Sequence, residues 1–334
     1  PKIELHRHLE GSLRLDTLVD IAREYGIPLP AHNPDDLRPF VQMTGADQSS
    51  YIHFLSKFDV LRQFYRSLAV IERLTVETIV DAADDAVRYM ELRFTPHALA
   101  RQNEHTYAEI IRCVCAAAAQ AEGQAPIRVR LIASVNRHES LAIAAEVLDA
   151  VLSVGDSRLV GLDLAGLEVG HPARHFAPIL ARARQAGLHL TVHAGEWDGP
   201  ESVREAVEVG AERIGHGVRA VEDPAVVALV RERNIALEVC PTSNLQSGVV
   251  DRVDRHPLIT LSELGVPVTI NTDDPLLCNI TLTDELAVAH VGLGLPLSAL
   301  KRHILTAARA SFLPPDERAA LVAEFERALA ALPA

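Results

Sequence analysis

The stretch GLHLTVHAGEWDGPESVREAVEVGAERIGHG, residues 187–217, decides the fold. In Leu188–Ala194 the residues Leu188, Leu190 and Val192 share one face, while Thr191 and His193 share the other, the period-two signature of a strand. Pro200–Val209 follows with helix-like spacing, and Gly210 stands where a helix needs a C′ glycine before the next strand, Arg213–His216. Gly187 and Gly265 mark the same restart elsewhere. Strand, helix, strand with short turns is a βαβ unit, so its strands are expected to run parallel.

Outward from this unit the pattern repeats. Strands are expected at Ile3–His8, Arg88–Thr95, Ile127–Ser134, Leu159–Gly166, Leu188–Ala194, Arg213–His216, Ile235–Cys240 and Pro267–Thr272. Helical runs at Thr106–Glu122, Glu139–Leu152, Pro172–Ala186, Pro200–Val209, Asp223–Glu232 and Pro257–Leu264 separate them. Eight such strands predict an α/β fold, a closed (β/α)₈ TIM barrel. The segment between the first two strands is too long for one crossover. There Leu15–Tyr25 reads as an amphipathic helix, Pro28–Pro39 as a loop and Tyr51–Val87 as further helix. Residues 15–87 or so are expected to form a helical insertion over the barrel mouth, a lid. Thr281–Leu293, Ser298–Ala310 and Asp316–Ala331 read as extra C-terminal helices. With no repeat, linker or low-complexity run, residues 1–334 are expected to be one domain.

Composition narrows the function. Of 334 residues 48% are hydrophobic and 23% charged, which excludes a disordered chain. The formal net charge of −13 offers no basic footprint, so no nucleic-acid partner is expected. No apolar run approaches the roughly 18 residues of a membrane helix. Four cysteines (Cys113, Cys115, Cys240, Cys278) without a C-x-x-C pair exclude a disulfide framework and a thiolate zinc finger, and point to the reducing cytoplasm. No signal-peptide pattern is present, and the first residue lies almost on the first motif, as a trimmed leader would leave it. The oligomeric state stays open.

The polar faces of the strands carry the chemistry. In the first strand Ile3 and Leu5 oppose Glu4, His6 and His8; in the eighth Val268 and Ile270 oppose Thr269, Asn271 and Asp273. In a barrel the polar face lines the axis. Ionisable groups gather where strands end: His6 and His8, Glu91 and Arg93, Asp163, His193, His216, Glu238, Asp273 and Asp274. Barrel enzymes keep their chemistry at that carboxyl-end rim. His6-x-His8 sets two imidazoles on one strand face, and alone would be two surface histidines as readily as two metal ligands. His193 and Asp273, of the same parity on other strands, complete an N₃O set suited to one Zn²⁺ with an open position. Glu196 is either a proton donor beside the metal or a first-turn residue favoured by a helix dipole. His216, between Gly215 and Gly217, is an exposed ring at the site or an ordinary turn histidine. Asp273 and Asp274 serve one site only where the strand ends, and Pro275 ends it; the bland alternative is a helix start.

Other motifs fail. Gly215-His-Gly-Val-Arg-Ala220 matches a dinucleotide string but follows a very short strand and precedes no immediate helix. No H-E-x-x-H, G-x-S-x-G, P-loop or P-C-x-x-C occurs. The three lysines (Lys2, Lys57, Lys301) end no central strand, so no lysine-derived bridge joins two metals and a mononuclear site is favoured.

These residues resemble the adenosine deaminase family of the amidohydrolase superfamily. The resemblance rests on Pro1-Lys-Ile-Glu-Leu-His-Arg-His-Leu-Glu-Gly-Ser12, Gly161-Leu-Asp-Leu-Ala-Gly166, Thr191-Val-His-Ala-Gly-Glu196, Arg213-Ile-Gly-His-Gly217 and Asn271-Thr-Asp-Asp-Pro275, in the family's order across nearly the whole chain. It implies a (β/α)₈ barrel holding one Zn²⁺ through His6, His8, His193 and Asp273. It implies that Glu196 protonates N1 of the purine and that His216 orients or deprotonates the zinc-bound water. Asp274 would hold N7 and the nascent hydroxyl, and the Gly166 amide N3, with His8 and Glu10 also facing the substrate. Two departures bear on the substrate: Leu167 replaces an aspartate usual in the family, and Glu10 an aspartate near the ribose 5′ end. The resemblance thus implies deamination of adenosine and 2′-deoxyadenosine, with adenine or 6-amino-6-deoxyfutalosine as alternatives. Two other readings are a metal-dependent hydrolase of an ester, lactone or phosphoester and a zinc-stabilised, non-catalytic binding protein.

Overall fold

Alternating side chains place eight strands in one parallel sheet. The computed structural model describes residues 1–29 and 33–332. Its strands are β1 (Lys2–His8), β2 (Val87–Phe94), β3 (Arg128–Asn136), β4 (Leu159–Ala165), β5 (His189–Ala194), β6 (Arg213–His216), β7 (Ala236–Val239) and β8 (Val268–Ile270). Their spatial order is their chain order. β8 meets β1 through one parallel bridge, Arg7 to Asp273. The His8 N–H donates to the Asp273 carbonyl at 2.8 Å, and the Asp273 N–H to the His6 carbonyl at 3.0 Å. The result is a nearly closed TIM barrel, as the eight alternating runs predicted.

Strand parity divides the core as expected. Leu190 and Val192 are fully buried in the apolar shell between sheet and helices, whereas Thr191 and His193 turn into the lumen. On β1, Ile3 and Leu5 pack against Ala307, Ala308, Leu321 and Phe325 of the two C-terminal helices, Leu297–Ala310 and Pro315–Ala330. The crossover helix Tyr107–Gln124 shows why such segments fold locally. A capping box joins Thr106 and Glu109 at its start, and Ile110, Val114, Ala117, Ala118 and Ala121 form its buried stripe.

The insertion differs from expectation in one place. The segment read as a loop, Pro28–Pro39, contains a helix, Pro34–Val41, while its residues 30–32 lie outside the described residues. Pro34 lies in the first turn, where no N–H is needed, and the Asn33 side chain accepts from the Asp36 N–H at 2.9 Å. The sequence reads as a loop here, but Pro34 within it starts a helix. Short helices Pro96–Ala100, Pro241–Gln246 and Pro275–Cys278, which sequence periodicity is too short to reveal, follow the ends of β2, β7 and β8 in the same way. Among the described residues no helix is long and apolar enough to cross a membrane.

Candidate active site

Below the mouth, the lumen holds a layer of charges sealed from water. Arg93 donates to Glu238 Oε2 at 2.7 Å and Asp163 Oδ2 at 3.3 Å. Arg213 reaches Glu238 Oε1 at 2.5 Å and Glu91 Oε2 at 2.6 Å. All five are at most 1% exposed. Burial opposes ionisation of Glu238, yet Arg93 and Arg213 outweigh it and hold the carboxyl well below the usual range. Glu91, Arg93, Asp163 and Glu238, counted with the rim from sequence, therefore sit one layer beneath it.

This layer orients the histidines above. His6 Nδ1 lies 2.8 Å from Glu238 Oε2, and His193 Nδ1 3.0 Å from Asp163 Oδ1. An ionised carboxylate only accepts, so both Nδ1 atoms carry hydrogen and, in the neutral rings, both Nε2 atoms present lone pairs. His6 Nε2 is 3.1 Å from Asp273 Oδ1, His8 Nε2 is 3.4 Å from the same oxygen, and His8 Nε2 is 3.2 Å from His193 Nε2. His6 Nε2 has no hydrogen-bond partner. The ligand atoms of His6, His8, His193 and Asp273 all lie within 4.8 Å of one another. Lone pairs and an anionic oxygen crowded this closely repel unless a cation sits among them, and three imidazoles with one carboxylate fit Zn²⁺. The carboxylates behind His6 and His193 are the outer partners that metal-binding imidazoles need.

Backbone geometry delivers two of these groups. His216 and Asp273 adopt φ of 60° and 64°, a left-handed conformation rare outside glycine, at the ends of their strands. Asp274 approaches Gly11 so closely that a Cβ there would fall 1.8 Å from its Oδ1.

The acids at the mouth lack cationic partners. Among the described residues no lysine or arginine lies within ion-pair distance of Glu10, Glu196, Asp273 or Asp274. Glu196, 3% exposed, faces His216 Nε2 at 3.4 Å. Burial first, then Asp273, Glu168 and Asp274, push its pKa well above the usual carboxyl value, which favours the protonated acid. Burial and Asp273 likewise raise Asp274, and burial raises Glu10 although its Oε1 accepts from the Thr95 N–H at 2.6 Å. Burial lowers the pKa of His216, which stays neutral.

All the sequence-predicted residues converge. His6 completes the ligand cluster beneath the pocket, whose wall holds His8, Glu10, Gly166, His193, Glu196, His216, Asp273 and Asp274. The insertion adds Phe54, Phe58 and Arg62 to that wall, and its Tyr51 ring stacks on Trp197, centroids 5.4 Å apart.

Sequence reading missed the supports. Glu168 accepts from the N–H groups of Gly195, Glu196, Trp197 and Asp198 at 2.6, 3.1, 2.7 and 3.0 Å and from Ser202 Oγ at 2.5 Å. One buried carboxylate thus fixes the loop that carries Glu196. Ser243 Oγ donates to Asp273 Oδ2 at 2.7 Å, and Asn244 lies beside His216. Glu168 lies two residues beyond the quoted Gly161–Gly166 block, and the Pro241-Thr-Ser-Asn244 run follows a predicted strand; both positions were available as signals.

A parallel barrel with histidines and carboxylates gathered at its carboxyl-end rim is the layout of the amidohydrolase superfamily, hydrolases that act on C–N bonds among others. Within it, the chain belongs to the adenosine deaminase family, whose model, described as adenosine deaminase, matches residues 1–328. The chain is 38% identical over 323 residues to the adenosine deaminase of Klebsiella pneumoniae (strain 342), covering 96% of each. Its fold matches the crystal structure of adenine deaminase from Arthrobacter aurescens with a TM-score of 0.92, at 29% identity and 99% coverage of both chains. It also matches an amidohydrolase from Burkholderia ambifaria with bound Zn, with a TM-score of 0.89, at 27% identity, covering 99% of this chain and 93% of that one. The protein is a hydrolytic deaminase of adenosine-like purines.

Proposed function

We propose that the protein is a zinc-dependent adenosine deaminase, converting adenosine and 2′-deoxyadenosine to the 6-oxo nucleosides and ammonia. The observation that carries this reading is the buried Glu196, its pKa pushed up by burial, facing His216 at 3.4 Å next to the cluster of His6, His8, His193 and Asp273. These four would hold one Zn²⁺ per chain. A zinc ion there supplies an activated water at neutral pH by lowering that water's pKa.

The chain's own groups supply the rest. Glu196 gives its proton to purine N1, which makes C6 electrophilic. His216 directs the attacking oxygen onto C6. The new C6–O bond gives a tetrahedral centre; the proton of its hydroxyl then passes to the 6-amino nitrogen as the C6–N bond breaks, leaving the 6-oxo group and releasing ammonia. Asp274 faces N7 and holds the incoming hydroxyl, the Gly166 N–H meets N3, and His8 and Glu10 line the approach towards the sugar. Residues 1–334 act as one domain in this reading, with residues 15–87 or so as a lid that keeps bulk water from the reaction.

Supporting adenosine is the 38% identity to a curated adenosine deaminase over 96% of the chain. A second reading, deamination of free adenine, is favoured by the Arthrobacter aurescens adenine deaminase, with its TM-score of 0.92. Incubating the zinc-loaded protein with adenosine, 2′-deoxyadenosine, adenine and aminodeoxyfutalosine, while following the absorbance change on loss of the 6-amino group, separates them. The expected result is the highest kcat/KM with adenosine; a higher value with adenine overturns the substrate assignment. A simple ester turned over in place of any aminopurine would overturn the deamination chemistry. Chelation is expected to abolish turnover while leaving the far-ultraviolet spectrum unchanged; loss of the fold would instead favour a structural metal.

A further inference from the structure

We infer that a one-way chain of hydrogen bonds, running from the Leu258 backbone through His256 and Asn244, fixes the His216 proton on Nε2, making Asn244 and His256 positioning residues. The Leu258 N–H points at His256 Nδ1, 3.1 Å away. A backbone N–H only donates, so His256 Nδ1 carries no hydrogen. Burial lowers the pKa of His256 to about 4, so the ring is neutral and its proton sits on Nε2. That Nε2–H donates to Asn244 Oδ1 at 3.1 Å. The amide is thereby oriented with its NH₂ towards His216 Nδ1, also 3.1 Å away. Turning the amide over would set its NH₂ against the His256 N–H, so the direction cannot reverse. His216 Nδ1 accepts, and the ring of neutral His216 keeps its hydrogen on Nε2, the atom facing Glu196 and Asp273 at 3.4 and 3.9 Å. All three side chains are at most 5% exposed, so water does not compete for these bonds.

The consequence rests on the deaminase reading above. A ring with hydrogen already on Nε2 has no lone pair there to take a proton from the attacking water. His216 is then a hydrogen-bond donor that orients and stabilises the attacking oxygen, and stays neutral while Glu196 supplies the proton for N1.

The test begins with the tautomer itself. In zinc-loaded protein labelled with ¹⁵N-histidine, assigned by signals lost in His216→Gln, His216 Nδ1 is expected at the shift of an unprotonated ring nitrogen and Nε2 at that of a protonated one. The opposite pattern overturns the inference. Asn244→Asp keeps the shape but presents only acceptors, so it is expected to move hydrogen onto His216 Nδ1. It should lower kcat on adenosine at least roughly 10²-fold with KM and zinc content little changed, by analogy with the loss when a catalytic histidine is held in the wrong tautomer. Full kcat in that variant also overturns the inference. If Asn244→Asp does not fold, the spectrum of the unmutated protein still decides. That spectrum needs no turnover, so a protein inactive on every aminopurine would remove the deaminase reading and leave the relay standing or falling on its own signals.

Discussion

In the middle of the barrel Arg93 and Arg213 meet Glu91, Asp163 and Glu238 at 2.5 to 3.3 Å, whereas one layer higher Glu10, Glu196, Asp273 and Asp274 face histidines and one another. Both layers are buried to a similar degree, so burial does not separate them. Pairing does. Where cations are present, Asp163 and Glu238 are held in the ionised form and the layer becomes a floor that aims His6 and His193 upward. Where they are missing, the pKa values of Glu196 and Asp274 rise, favouring the uncharged acids, and the charge of Asp273 is left for a metal ion to balance. The difference separates structural charge from charge held ready for chemistry.

The largest effect is expected from breaking the floor. Arg93→Met leaves Asp163 and Glu238 short of a cation in a site water cannot reach. Removing one partner of a buried pair typically costs about 3–5 kcal/mol. Urea unfolding of the metal-loaded protein measures this. A loss under about 1 kcal/mol would mean that the paired layer is not what holds the barrel's centre.

The second test works on the upper layer. Glu196→Gln keeps the shape of the protonated acid and removes its proton. Turnover is expected to fall at least roughly 10²-fold in kcat with zinc content and unfolding midpoint unchanged. If stability fell along with activity, Glu196 would belong with the floor and the division between the layers would blur.

A buried acid without a cation is not by itself catalytic, and Glu285 sharpens that point. It accepts from the Thr242 N–H at 2.7 Å and shares a second hydrogen bond with Thr242 Oγ1, away from the pocket. Burial, aided by Asp273 and Glu4, raises its pKa from 4.5 to about 8. The folded state therefore holds a proton that the unfolded chain releases between these values, and stability falls as pH rises through that window. A loss of about 1–2 kcal/mol is expected between pH 6.5 and 8, from the 1.4 kcal/mol that one pKa unit represents. Glu285→Gln copies the protonated form and should flatten that slope with kcat unchanged. An unchanged slope would assign the pH dependence to other groups.

Much of the upper layer was legible because strand parity and strand ends are one-dimensional signals. His6, His8, His193 and Asp273 share a parity across three strands, and Pro275 marks where the eighth one stops. The floor was only half legible: Glu91, Arg93, Asp163 and Glu238 have the right parity, but depth along the axis depends on register between strands. Arg213 was read as the start of a strand with no role. Pro34–Val41 was misread because proline breaks or begins a helix according to its position. His256 gave no signal at all. A lone histidine before Pro257 becomes a relay only when folding brings it to Asn244, twelve residues earlier in the chain.

The smallest effect is expected at Glu168, which supports the loop that carries Glu196. Its carboxylate receives four successive backbone N–H groups and the Ser202 hydroxyl, so it replaces the helix-terminus or water contacts that loop 195–198 would otherwise need. Glu168→Gln keeps the volume but turns an NH₂ towards backbone N–H groups, which can only donate. At least one backbone N–H then loses its acceptor, and the loop carrying Glu196 shifts. If Glu196 protonates N1 as proposed, a displacement of the loop is expected to reduce kcat more than it weakens binding. A fall of about tenfold in kcat is expected, the equivalent of about 1.4 kcal/mol, with KM changed less than kcat. Glu168→Asp keeps the charge but shortens the reach, and is expected to recover part of the loss. If KM rose and kcat held, Glu168 would shape the substrate pocket instead, and the boundary between scaffold and chemistry would lie nearer the purine.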